Sequence, residues 1–404
     1  MKKIYDPYEK YGVRRVVNAA HCITSYGGSI SPSEVFRAME DASKSFVYIP
    51  ELQQWAGKMI AEATGAEAGL PTAGANNAIM LASAACMMRG TELEEYDPLE
   101  TQTWGRLIRR LPMHTEGLKT EFIVQRSNRN VYDHAVECAG GRIVEVGTKE
   151  GITEEELEGA YDPEKTAAYY FTVRSERLYG YRCLPLETVI RIAHKNGVPV
   201  IVDAADELPP RKNLKRYTSM GVDLVIFSGG KKIGGPNNSG LLAGRRDLIK
   251  LAHLQAYPFH GVGRPAKMSR ETIVGLITAL KIYLEHDEEA FLRAWEDKAR
   301  WIAEQLNKIP HVEAGVAHQT TVEEREPIRG PLCYVKINEE AFGMTGEEVS
   351  KKLREGDPSI VTLWEARDLL EDYENKLTLN PAYLTEGEEV LVVQRIREIL
   401  IGGA

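Results

Sequence analysis

The stretch Gly197-Val198-Pro199-Val200-Ile201-Val202-Asp203-Ala204-Ala205-Asp206-Glu207 decides how this chain folds. Its apolar residues run without polar alternation and stop at an acid. A strand with one face in water alternates, whereas an unbroken run belongs to a strand buried on both faces, as in a parallel sheet. Asp223-Leu224-Val225-Ile226-Phe227 repeats the pattern. A helical segment from Leu186 to Asn196 precedes the first run, with Gly197 as its stop residue.

Upstream, Phe122-Ile123-Val124 and Arg142-Ile143-Val144-Glu145-Val146 read as strands on either side of a helix carrying Tyr132 to Ala139, and Ala167 to Val173 as a further strand. Strands alternating with helices give an α/β fold with a mostly parallel sheet. Downstream, Ile273, Leu276, Leu280 and Leu284 fall at helical spacing, so a long helix leads out of the sheet domain. A helix at Arg293 to Ile309, a strand at Leu332 to Ile337 and a final helix at Glu388 to Ile401 make a smaller α+β domain. The chain accordingly divides into an N-terminal arm (1–60), a large domain (61–285) and a small C-terminal domain (286–404).

With 404 residues, 43% of them hydrophobic and 27% charged, the chain is long enough to bury a sizeable core. A formal charge of −9 argues against a surface built for nucleic acid or anionic membrane. The most apolar segment, Ala78 to Met88, is too short for a bilayer, which needs roughly 20 such residues. Met1-Lys2-Lys3-Ile4-Tyr5-Asp6-Pro7 lacks the apolar stretch of a signal peptide. Cys22, Cys86, Cys138, Cys183 and Cys333 are scattered with no Cys-x-x-Cys pair, so neither a disulfide scaffold nor a zinc site is expected. A reducing, cytoplasmic setting fits best.

Three segments sit where an α/β sheet takes its ligands, after the carboxyl ends of strands. Leu70-Pro71-Thr72-Ala73-Gly74-Ala75-Asn76-Asn77 opens an apolar helix, and the free N–H groups of a helix start attract an anion. Asp203 is an acid at the mouth of a buried strand, where it calls for a cationic partner. Ser228-Gly229-Gly230-Lys231-Lys232-Ile233-Gly234-Gly235-Pro236 presents lysines between glycines that leave room for something bulky. It is not a Walker A loop, because no Ser or Thr follows Lys231. Singly, these are an N-cap, a salt-bridge acid and a surface lysine pair. Together they are the parts a pyridoxal 5'-phosphate (PLP) site requires: a helix start for the phosphate, a carboxylate for the ring nitrogen, a lysine for the aldehyde. Ser228 is placed to add a hydroxyl to the phosphate.

The sequence also resembles the fold-type I PLP enzymes of the selenocysteine synthase (SelA)-like branch, above all the D-glucosaminate-6-phosphate ammonia-lyases and their relatives. The resemblance shows in Val13-Arg14-Arg15-Val16-Val17-Asn18-Ala19-Ala20, in Ile60 to Ala68, in Arg110-Leu111-Pro112, and most strongly in Gly197 to Pro210 and Phe227 to Gly240. It continues through Gly263-Arg264-Pro265-Ala266-Lys267 and Glu271 to Leu276. It implies an aspartate aminotransferase-like large domain, a Schiff-base lysine at Lys231 rather than Lys232, Asp203 on the pyridine nitrogen, and Ala205 against the ring. The cofactor set is then Thr72, Gly74, Ala75, Asn76, Asp203, Ala205, Ser228 and Lys231, with a homodimer or higher homo-oligomer as the assembly. Two departures stand near the site: His21 where relatives carry glycine, and Ser127-Asn128 where a Gly-His pair is expected. Asn128 and His134 are candidates to cover the ring's outer face, and His21 to contact substrate. Arg126, Lys232, Arg264 and Lys267 are candidates for a substrate carboxylate or phosphate.

The function expected is that of a PLP-dependent lyase on a 2-amino acid or amino sugar acid. Lys231 and Asp203 carry α-proton removal, followed by β-elimination of water and release of ammonia. An amino-acid racemase or epimerase uses the same residues. A seleno-transferase acting on charged tRNA lacks the basic stripe it would need, and a non-catalytic PLP-binding protein remains a separate alternative.

Overall fold

The computed structural model describes residues 6–100, 105–175, 182–320, 327–364 and 376–402, and the chain forms two compact units. The larger spans Ser31–Glu285 and the smaller combines the N-terminal residues to Ile30 with His286 onward. The expected arm is therefore divided: residues 31–60 supply two helices of the large unit, while Val16–Asn18 pairs in parallel with Ser359–Val361 in the small one. That pairing joins chain segments far apart in sequence, and a three-residue strand has no periodicity to announce it.

The large unit is built on seven strands: β1 (Ala68–Thr72), β2 (Glu121–Gln125), β3 (Arg142–Val146), β4 (Thr166–Thr172), β5 (Val200–Asp203), β6 (Leu224–Ser228) and β7 (Gly240–Gly244). Their order is β1-β7-β6-β5-β4-β2-β3. β3, β2, β4, β5 and β6 are mutually parallel, and β7 runs antiparallel to both β6 and β1.

The helices that position the site are α1 (Ser33–Ser43), α2 (Ile49–Thr64), α3 (Ala75–Met87), α4 (Leu186–Lys195), α5 (Asn213–Ser219), α6 (Arg246–Gln255) and α7 (Arg270–Glu285). Both sheet faces are covered, as the unbroken apolar runs require. Val200, Val202, Tyr169, Phe171, Val225 and Phe227 join one core with residues of α2, α4, α5 and α7. The intervening Ile201, Ala168, Tyr170, Leu224 and Ile226 join the opposite core with α3 and α6. Helix α3 is buried along most of its length, consistent with its nearly all-apolar sequence. Burying a side chain such as Ile79 contributes about 1.5–3 kcal/mol.

In the small unit a four-stranded antiparallel sheet contains Val312–Thr320 and Pro327–Ile337 beside Lys376–Leu379 and Leu363–Trp364. Its core draws on Glu288–Leu306, Gly346–Glu355 and Glu388–Ile401. Among the described residues no helix is long and apolar enough to cross a membrane.

Candidate active site

The carboxyl ends of the strands converge on one edge of the sheet. Thr72 at the end of β1 faces Gly240, which in turn faces Ser228 at the end of β6. Asp203 ends β5 level with Ile226 on one side and with Thr172, the last residue of β4, on the other. Thr72, Ser228, Asp203 and Thr172 thus share an edge, where open α/β sheets bind ligands.

The start of α3 lies beside this edge. Gly74 holds φ at +99°, a conformation that favours glycine, and no side chain caps the helix. Gly240 keeps this corner tight, because a Cβ there would stand 2.7 Å from the Gly74 carbonyl carbon and 2.9 Å from the Ala75 nitrogen. Thr72 is buried and its hydroxyl donates to the Gly74 carbonyl at 3.1 Å. Asn76 is exposed and turns its amide outward to the Tyr132 carbonyl at 3.3 Å. Asn77, part of the expected helix start but not of the expected cofactor set, accepts the Ala73 N–H at 3.1 Å and leaves its Nδ2 buried without a partner.

Lys231 rides on a closed loop between β6 and β7. Gly229 donates to the Ser239 carbonyl at 2.9 Å and Gly235 to the Gly229 carbonyl at 2.8 Å, so the loop returns on itself and projects its middle. Lys231 Nζ stands 3.3 Å from Asp206 Oδ1. Lys232 is half-buried beside it. Asp203 is buried, accepts the Ala205 N–H at 3.0 Å and meets the Tyr170 hydroxyl at 3.5 Å. Burial raises its carboxyl above the usual range, and the Lys231 charge opposes that rise. Ala205, half-buried, follows in the same turn. Tyr170 is pushed well above its ordinary value, first by burial and then by the Asp203 charge.

The remaining expected residues fare differently. Asn128 is fully buried, with its amide clasping the Thr172 backbone, donating at 2.9 Å and accepting at 2.6 Å. Its side chain therefore builds the wall of the site. His134 opens a short surface helix, exposed, with Nδ1 2.9 Å from Glu137. An exposed imidazole paired within its own turn is a surface group, so the expectation that it covers the ring has no support in its placement. Arg126 sits at the end of β2, 3.4 Å from Glu145. Arg264 and Lys267 flank the Tyr257 ring at 5.2 and 5.8 Å, and Arg264 Nε is buried without an acceptor. His21 belongs to the small unit, with Nδ1 3.1 Å from Cys22 Sγ and its ring 5.7 Å from that of Tyr383.

These groups fit PLP on the structure's own terms. An uncapped helix start with a buried, unpartnered amide donor suits a phosphate. A buried carboxylate suits a protonated ring nitrogen, and a lysine on a projecting loop suits an aldehyde.

The fold and site define a PLP-dependent enzyme of fold type I. The Aminotransferase class-V profile matches residues 120–327, and the chain belongs to that family. It is 31% identical over 98% of its length to a 5'-C-glycyluridine monooxygenase-decarboxylase of a Streptomyces species, covering 93% of that protein. It is 29% identical to a D-glucosaminate-6-phosphate ammonia lyase of Salmonella typhimurium, with 97% of each chain covered. A solved structure of D-glucosaminate-6-phosphate ammonia-lyase superposes with a TM-score of 0.80 at 28% identity, with 98% of each chain covered. The resemblance read from the sequence is thereby borne out along the whole chain.

Proposed function

We propose that this enzyme is a carbon–nitrogen lyase acting on a 2-amino acid or amino sugar acid. It removes the α-proton, expels a β-hydroxyl as water and releases ammonia. The observation that carries the reading is the meeting of Lys231, on its closed loop, with the acidic end of β5. That edge holds a base and a buried acid together, which proton removal from carbon demands. The ammonia-lyase relative supports the substrate class.

When bound, PLP supplies the electron sink that makes an α-proton removable. Asp203 would hold the proton of the ring nitrogen in place. Lys231 Nζ takes the α-proton and returns it to the departing hydroxyl. The start of α3, with Thr72, Gly74, Ala75 and Asn77, would hold the phosphate, with Ser228 at the same edge. After water leaves, hydrolysis gives a 2-oxo acid and ammonia.

A panel of amino acids and amino sugar acids, phosphorylated and not, tests the reading through ammonia release and α-proton exchange in deuterium oxide. Ammonia with one β-hydroxy member is the expected result. Exchange with inversion but no ammonia would make it a racemase. Oxygen uptake with carbon dioxide release would move it to the chemistry for which the Streptomyces relative is named.

We also propose a cytoplasmic homo-oligomer. None of the five cysteines forms a disulfide, which suits a reducing compartment. Phe36, Phe46, Tyr48 and Trp55 are all exposed within one short stretch of the large unit, and aromatic groups exposed together suit a surface covered by a second copy. Sedimentation of Phe46→Ser against the native chain tests this, with a smaller species expected for the variant.

A further inference from the structure

Asp206 follows the cofactor acid by three positions and sits in a turn that the backbone fixes at both ends. Glu207 N–H donates to the Ala204 carbonyl at 3.1 Å, closing a four-residue turn with Asp206 in its third position. The turn's entry is pinned by Asp203, which accepts the Ala205 N–H at 3.0 Å. Its exit is pinned by Asn213, whose amide donates to the Glu207 carbonyl at 2.8 Å. Such a turn leaves Asp206 little freedom, and it aims the carboxylate at Lys231 Nζ, 3.3 Å away. Asp206 is mostly shielded from water, and Lys231 retains about a third of its side-chain exposure.

We propose that Asp206 is a positioning residue that acts through Lys231, holding its amine at the reacting edge and stabilising the ammonium that forms when it takes a proton. This rests on Lys231 being the base of the proposed reaction. In that step the α-carbon–hydrogen bond breaks and a nitrogen–hydrogen bond forms on Nζ, which turns positive. The electron pair left on carbon becomes the new double bond as the β-hydroxyl departs with its own pair. The ammonium then gives its proton to that hydroxide, and water leaves. Charge appears on Nζ only between these two events. A fixed carboxylate at 3.3 Å therefore favours the charged intermediate stage over the neutral start, as a differential interaction must if it is to speed the reaction.

The test begins on the apoprotein, with no turnover involved. Acetic anhydride at fixed neutral pH labels neutral amines, and mass spectrometry reads Lys231 against its neighbour Lys232 as an internal reference. Asp206→Asn removes the carboxylate charge that faces Lys231 Nζ at 3.3 Å, so the Lys231 to Lys232 labelling ratio is expected to rise severalfold. Asp206→Glu is expected to restore the native ratio in large part. In the holoenzyme, Asp206→Asn is expected to lower kcat for α-proton exchange about tenfold, part of the roughly 10²–10⁴-fold that a positioned base supplies. KM and visible cofactor absorption should stay near native. An unchanged labelling ratio in Asp206→Asn, or native kcat beside a changed KM, would overturn the proposal. Failure of the underlying reading looks different: borohydride reduction would fix the cofactor on another lysine, while the labelling ratio would still report the Asp206–Lys231 pair.

Discussion

Asn128 completes the sheet where the strands themselves stop: its carboxamide accepts the Thr172 N–H at 2.6 Å and donates to the Thr172 carbonyl at 2.9 Å, fully buried. A side chain thereby extends the β2–β4 ladder beyond its last backbone pair. Gln125, the last residue of β2, likewise bonds both backbone groups of one residue, Leu184. Asn130 Nδ2 adds a bond to the Thr172 hydroxyl at 2.8 Å. The wall next to Asp203 is thus held by strand pairing on the β5 side of Thr172 and by side-chain amides on the other.

Asn128→Ala leaves a buried N–H and a buried carbonyl of Thr172 unpaired, a loss of roughly 2–4 kcal/mol. Urea denaturation of the apoprotein should read that drop, with weaker cofactor retention beside it. Stability within about 0.5 kcal/mol of native would mean that water replaces the clasp at no cost.

Asp203→Asn removes a carboxyl that burial holds above its usual pKa. Such a group binds its proton more tightly folded than unfolded, so its contribution to stability is lost as pH rises through the folded value. The Asn variant should therefore show a flatter stability profile as pH rises above the ordinary carboxyl value of 3.8, and be the more stable apoprotein once the native carboxyl has ionised. The same variant should retain bound cofactor yet slow α-proton exchange about 10²-fold or more. Near-native exchange would remove Asp203 from its proposed role.

His253 on α6 is buried with Nε2 3.0 Å from Gln53 Oε1, and burial depresses its pKa from 6.5 to about 4. Here the unfolded chain takes the proton first. Stability is complete above pH 6.5 and falls as pH drops toward 4, by on the order of 3 kcal/mol. Thermal melts of His253→Gln across that window should lose much less than the native protein does. Parallel loss in the two proteins would place the acid sensitivity elsewhere.

The fold was legible because Val200 to Asp203 and Leu224 to Phe227 are short runs rich in β-branched and aromatic residues, which suit strands buried on both faces. Asp203 and Lys231 were legible as site candidates for a related reason: each breaks an apolar or glycine-rich context that does not otherwise call for a charge. The Asn128–Thr172 clasp was not, since it joins segments that only the folded sheet brings together. Asp206 carried no signal of its own in the sequence, because a turn's aim depends on its three-dimensional anchors, here Ala204 and Asn213. The surface placement of His134 was hidden because its short helix exposes its first turn. The division of the arm depended on Val16–Asn18 finding Ser359–Val361, a pairing with no local signal.

The most direct test of the central claim is to load the protein with PLP, reduce it with borohydride, digest it and locate the modified lysine by mass spectrometry. The account expects the cofactor on Lys231 in native protein, and loss of both the adduct and the visible absorption in Lys231→Ala. A reduced adduct on Lys232, or a visible band that survives Lys231→Ala, would contradict it.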